Sequence, residues 1–169
     1  MNPPLTAIDS RAAAICDSVQ AVLRAEIPLS EAMAMTVDRL SAEGLWLSMP
    51  LAPNRNPHQT AFAGSLNALC TLAGWAMTDV LLKELSLAGA TVIRRSSIKY
   101  HQPVESDRVS ARCLPPRQAD WEHFAEMLAE KGQAKLDHVV EIAGTEPDRP
   151  AVLFGGSYVV SVGRDQPPF

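Results

Sequence analysis

The run from Ala61 to Leu82, AFAGSLNALCTLAGWAMTDVLL, constrains this chain more than any other stretch. It is apolar over about 20 positions, the length at which a helix crosses a bilayer. Asn67 and Asp79 would be costly in hydrocarbon. The segment prefers Gly and Ala to Leu and Ile, and the sequence on both sides alternates as a soluble sheet does. The run therefore predicts a helix from about Ala63 to Leu87, buried in a protein core and covered by strands.

The rest of the chain supplies the cover. SRAAAICDSVQAVLRA predicts an amphipathic helix capped by Asp9 or Ser10, with Ile15, Val19, Val22 and Leu23 on its apolar stripe. IPLSEAM reads as a turn. MAMTVDRL and GLWLSMPL read as two strands joined around Ser41 to Gly44, with Met33, Met35 and Val37 alternating in the first. GATVIRRSSIKYHQPV is a β-branched strand ending at Pro103, and SDRVSARCLP is another, with Val109, Ala111 and Cys113 on one face. ADWEHFAEMLAEKGQA predicts a short helix stopped by Gly132. Two strands follow, KLDHVVEIAG and AVLFGGSYVVSVG, joined by the turn TEPDRP; the second puts Val152, Phe154, Tyr158, Val160 and Val162 on one face. Short connections make the sheet antiparallel. The expected fold class is α+β, a curved antiparallel sheet around one long helix, with an extra N-terminal helix and a short helical insertion. One domain spans residues 1–169, with loose tails at 1–9 and 164–169.

A net charge of -4 argues against a general grip on nucleic acid or anionic lipid. Cys16, Cys70 and Cys113 lie far apart without metal spacing, so free thiols, a cytoplasmic location and no metal site are expected. The N-terminus lacks the pattern of a signal peptide.

On the long helix, Gly64, Asn67, Thr71, Gly74 and Thr78 recur at spacings of 3, 4, 3 and 4 and share one face. Such a stripe either packs closely, with its hydroxyls bonded back to the helix, or faces a substrate channel. The turn TAFAGS brings Phe62, Ala63 and Ser65 to the helix start, where free N–H groups can hold a developing oxyanion. Asn54, Asn56, His58 and Thr60, in the loop before it, are candidate donors, clamps or, for His58, a base. Arg94, Arg95 and Lys99 on one strand are either a solvated edge or contacts for the phosphates of coenzyme A or phosphopantetheine.

The stretch PLAPNRNPHQTAFAGSLNALCTLAGW resembles the N-x-N-x-x-x-T-x-F-G-G-S-L signature of the thioesterase domain at the C-terminus of YiiD-type bacterial acetyltransferases. EIPLSEAM and SSIKYHQPVESD extend the resemblance over most of the chain. No acetyltransferase domain fits this length, so a stand-alone version is expected. The resemblance implies the hot-dog fold, a homodimer or tetramer, and an acyl thioester substrate on coenzyme A or an acyl carrier protein, with no cofactor beyond those thiol carriers. Against the wider hot-dog thioesterase motif, Asn56 and Thr60 fall on the motif Asn and Thr. Phe62 falls on the His, Ala63 and Gly64 on the glycines, Gln59 on the loop glycine, and Thr71 on the catalytic acid. The resemblance thus leaves the Gly64 N–H as oxyanion donor, Asn56 as a clamp, and Thr71 or Asn67 to position water, with the acyl chain against Leu66, Leu69 or Met77 between subunits. A dehydratase or isomerase on the same fold would need a His and a carboxylate near the helix start. A non-catalytic acyl-binding module would explain Thr71 and Phe62.

Overall fold

The computed structural model describes Leu5 and residues 10–146 and 149–163. The tails expected at 1–9 and 164–169 lie outside the described residues, except Leu5, which is buried. Pro147 and Asp148 of the TEPDRP turn also lie outside them.

Helix α1 (Ala12–Glu26) buries Cys16, Val19 and Leu23. Its cap position is Arg11, which makes no side-chain cap bond. Ser10 lies one residue further out, and Asp9 falls outside the described residues, so the expected cap is not found. IPLSEAM is not merely a turn. Its Pro28–Ala32 form a five-residue helix, α2, with Pro at the first turn, where its missing N–H costs nothing. The Ser30 hydroxyl donates to Leu23 O at 2.9 Å, tying α2 to α1. Met33 closes α2, so the first strand, β1 (Thr36–Ser41), starts three residues later than the alternation suggested.

The remaining elements among the described residues are β2 (Gly44–Pro50), α3 (Ala63–Glu84), β3 (Gly89–Tyr100), β4 (Arg108–Cys113), α4 (Gln118–Lys131), β5 (Gln133–Ile142) and β6 (Val152–Val162), with a 3-10 turn at Ala52–Asn54. All six strands form one antiparallel sheet in the order β1-β2-β4-β5-β6-β3. The sheet curls around α3, whose Leu69, Cys70, Ala73, Ala76, Met77, Val80 and Leu81 are fully buried. This is the hot-dog arrangement. α3 has the length and apolarity of a membrane span, and most of that window is buried inside the molecule. Gly132, at φ 64, ends α4 in the left-handed conformation that a side chain would disfavour.

The topology positions the site. α3 is 22 residues long, roughly 33 Å at 1.5 Å per residue. A short link then reverses the chain into β3, whose 12 residues extend about 40 Å. The end of β3 therefore returns to the beginning of α3.

A candidate active site at the start of the central helix

The loop before α3 is held by its own polar side chains. Asn54 is buried and donates both amide protons inward, to Met33 O at 2.9 Å and Pro50 O at 2.8 Å. Its backbone carbonyl accepts from Phe62 N at 2.7 Å. Asn54 is thus the knot of the loop and has no amide proton left for a substrate. Asn56 Oδ1 accepts from His58 N at 2.8 Å and Thr60 N at 3.3 Å, while its Nδ2 donates to Thr60 Oγ1 at 2.8 Å. Residues Arg55 and Ala61 pair across the loop mouth. Gln59 sits at φ 65, the left-handed conformation that explains a glycine at this place in the wider motif. Arg55 Nη1 bonds its side chain at 2.9 Å.

A cleft of about 290 Å³ opens where this loop meets α3. Asn56, Thr60, Ala63 and Leu66 border one side, and the segment Tyr100 to Val104 borders the other. Phe62 stands before the helix at φ -67, ψ 132 and gives no side-chain cap. Among the described residues, no acceptor meets the N–H groups of Ala63, Gly64 and Ser65; the first satisfied amide is Leu66 N, bonded to Phe62 O at 3.0 Å. These donors and the positive end of the helix dipole suit a developing anion. Thr60 adds a further donor. Its oxygen already accepts from Asn56, so its own proton is free to point into the cleft. Tyr100 Oη donates to Ala63 O at 3.1 Å from across the cleft. Burial, with a smaller contribution from Cys70, raises its pKa and keeps it a donor.

The other expected residues are more scattered. The Phe62 ring is exposed and lies on Gly64, where a Cβ would come within 2.3 Å of Cε1. Gly64 and Ser65 adjoin the cleft only through their place in the helix's first turn. His58 is exposed and its side chain is not part of the cleft wall. Asn67 and Thr71 are half-buried one and two turns further along, with Thr71 Oγ1 donating to Asn67 Oδ1 at 3.4 Å. The lower half of the stripe is packing. Thr78 Oγ1 donates to Gly74 O at 3.0 Å, and Gly74 lies under Tyr158. Leu69 and Met77 are in the core of the single chain, so of the three expected acyl contacts only Leu66 borders the cleft. Arg94, Arg95 and Lys99 are exposed on β3, and none lines the cleft. Burial pushes the Cys70 thiol up to about 12, which leaves it protonated and inert. Asp79 pairs with Lys83. Among the described residues no three His, Cys, Asp or Glu side chains converge to hold a metal.

Sequence reasoning assigned Tyr100, His101 and Gln102 no role and placed them in the strand ending at Pro103. The length match between α3 and β3 is the signal that would have brought them to the helix start.

A family model described as "Putative thioesterase (yiiD_Cterm)" matches residues 16–162. Among solved structures, a protein of unknown function from Chlorobaculum tepidum TLS is 28% identical, with a TM-score of 0.81 over 87% of this chain and 94% of that one. A putative thioesterase from Shewanella oneidensis is also 28% identical, with a TM-score of 0.73 over 89% and 98%. A thioesterase from Haemophilus influenzae shares the fold at 14% identity, with a TM-score of 0.67 over 90% and 94%.

Proposed function

The chain belongs to the putative thioesterase family (yiiD_Cterm), and from that premise we propose that it hydrolyses an acyl thioester carried on coenzyme A or on a carrier protein. The observation that carries this reading is the convergence of free donors on one cleft: the uncapped N–H groups at the start of α3 and the unspent Thr60 proton. A thioester carbonyl set there would develop its negative charge against the N–H of Gly64 and the Thr60 hydroxyl. Leu66 would meet the start of the acyl chain. Water adds to the carbonyl carbon, the carbon–sulfur bond breaks, and the thiolate leaves to take up a proton.

Thr71 donates to Asn67, so its lone pairs remain to accept from a water, and the Asn67 amide can donate to the same water. That pair orients the nucleophile and cannot deprotonate it. The chemistry is therefore that of a slow hydrolase resting on carbonyl polarisation. The cleft wall holds His101 and no carboxylate, which disfavours a dehydratase or isomerase.

Thr60→Val is expected to lower kcat by roughly 10–100-fold with little change in KM, the mark of a donor used in the transition state. Thiol release from a panel of acyl-CoA and acyl-carrier substrates checks it. If the unaltered protein releases no thiol from any of them but still binds acyl ligands, the fold is serving as a binding module.

The same reading needs a homodimer. Among the described residues β3 is an edge strand of 12 residues, paired only with β6. Beside it, Asn67, Ala68, Thr71, Trp75 and Asp79 leave one face of α3 half-exposed. A second copy pairing through β3 would cover both and close the cleft. Light scattering is expected to give at least twice the 18.2 kDa of the chain, and a stable monomer would sink the closed site.

A further inference from the structure

A groove of about 610 Å³ lies away from the cleft, on the outer face of the sheet beside α4. Two independent features turn positive charge into it. The first is a bulge in β3. Ile93 pairs with Tyr158, which faces the core, and Arg95 pairs with Ser157 on the outer face. Arg94 is the extra residue between them. A bulge re-aims side chains, and here it sends Arg94 into the groove while Arg95 goes to a neighbouring hollow beside Asp137.

The second is the charge pattern of α4. His123, Met127 and Lys131 are spaced i, i+4, i+8 and line the groove. Glu122, Glu126 and Glu130 repeat at the same spacing one residue earlier, and so project about 100° away. Asp120, three residues before His123, is held by Arg117 at 2.7 Å. Lys135, from β5, completes the set. Among the described residues no acid lines the groove, although the whole chain carries a net charge of -4. Lys135 pairs with Asp137 at 3.4 Å and His123 approaches Glu126 at 4.0 Å. Among the described residues Arg94 and Lys131 have no ion pair.

We propose that this groove docks an acidic protein surface, that of the carrier presenting the thioester. The carrier's part in catalysis rests on the hydrolase reading above. Charge complementarity selects an acidic partner. Met127 and Val159 between the cations offer an apolar floor, as a protein surface would need. Among the described residues no Phe, Tyr or Trp ring lines the groove to stack a nucleotide base, which argues against the adenine end of coenzyme A. Arg94 is six residues from Tyr100 on the same strand, about 20 Å at 3.3 Å per residue, so an extended arm of about that length would link a docked carrier to the cleft.

The test measures affinity of the full chain for an acidic holo-carrier protein and, separately, for coenzyme A. The variants are Arg94→Glu/Lys131→Glu/Lys135→Glu, the milder Lys131→Glu, and Arg24→Glu on α1 as a charge-matched control. All four side chains are exposed, so the fold should tolerate these changes. The triple variant is expected to lose carrier affinity by about tenfold or more, Lys131→Glu by about threefold, and the control to change little, with the wild-type affinity falling as salt rises. In Lys131→Glu, which lies outside the β3 seam, hydrolysis of a small thioester lacking any carrier should stay unchanged. No carrier binding by the wild type, or binding indifferent to the triple reversal, would overturn the proposal. Loss of coenzyme A affinity with carrier affinity intact would also overturn it, in favour of a phosphate site. If no thioester is hydrolysed but carrier binding follows the charge reversal, the docking surface stands and the hydrolase reading fails.

Discussion

Gly74→Ala is expected to destabilise the fold by about 2–4 kcal/mol, although the same change in an exposed helix interior stabilises by about 1 kcal/mol. Gly74 lies in the middle of α3 under the fully buried Tyr158 ring. A Cβ there would stand 2.4 Å from the Tyr158 hydroxyl and 2.6 Å from the ring carbon that bears it. The hydroxyl cannot simply move aside, because it donates to Thr71 O at 2.7 Å. Relief requires either shifting α3 from the sheet or breaking that bond, and both costs exceed the gain in helix propensity. Urea unfolding of the variant should show a lower midpoint. Adding Tyr158→Phe should recover only part of the loss, since it removes the nearer atom and leaves the ring. A Gly74→Ala protein as stable as the parent would show that α3 and β6 are not packed this closely.

That contact also marks where the sequence stopped being legible. Gly64, Asn67, Thr71, Gly74 and Thr78 share a spacing, and the spacing does not reveal that they serve two purposes. The sheet curls over the second half of α3, so Gly74 and Thr78 meet Tyr158 and His138, while Asn67 and Thr71 remain half-open. The strands were readable because alternation survives any tertiary context that buries one face. Val109, Ala111 and Cys113 are fully buried as that period requires. α2 was missed because its five residues are too few to display a helical period, and only Pro28 hinted at it.

The site was half legible for a related reason. Asn56 and Thr60 stood out by their motif spacing, and they do border one cleft. What spacing cannot tell is which proton each has left to give. Asn54 uses both of its amide protons inside the loop, whereas Asn56 spends one of its two on Thr60, so the hydrogens left to give are the second Asn56 N–H and the Thr60 hydroxyl. The opposite wall, Tyr100 to Val104, is separated in sequence and comes together with the loop only through the reversal between α3 and β3.

His138 is expected to make the fold lose about 3 kcal/mol of stability as pH falls from about 6.5 to about 4. Its ring is buried at the centre of β5, facing α3. Thr78 Oγ1 gives its only proton to Gly74 O, so in the 2.9 Å contact between Thr78 and His138 Nε2 the ring must donate. Nδ1 then carries the lone pair and has no partner among the described residues. Protonation would put a charged N–H in the core without an acceptor. Burial accordingly lowers the pKa from 6.5 to about 4, against a weak opposing pull from Asp137. Above about 6.5 the ring is neutral folded and unfolded, and the site contributes no pH dependence. Below that the unfolded chain takes up a proton that the folded one refuses, so stability falls until the folded ring also titrates near 4. Asp120 and Asp137, whose folded pKa values lie below 3.8, add their losses only at lower pH. Denaturant unfolding at a series of pH values should show this slope in the parent and its absence in His138→Gln, whose side chain can still donate to Thr78 and does not titrate. A variant that keeps the slope would place its origin elsewhere and refute the buried neutral imidazole.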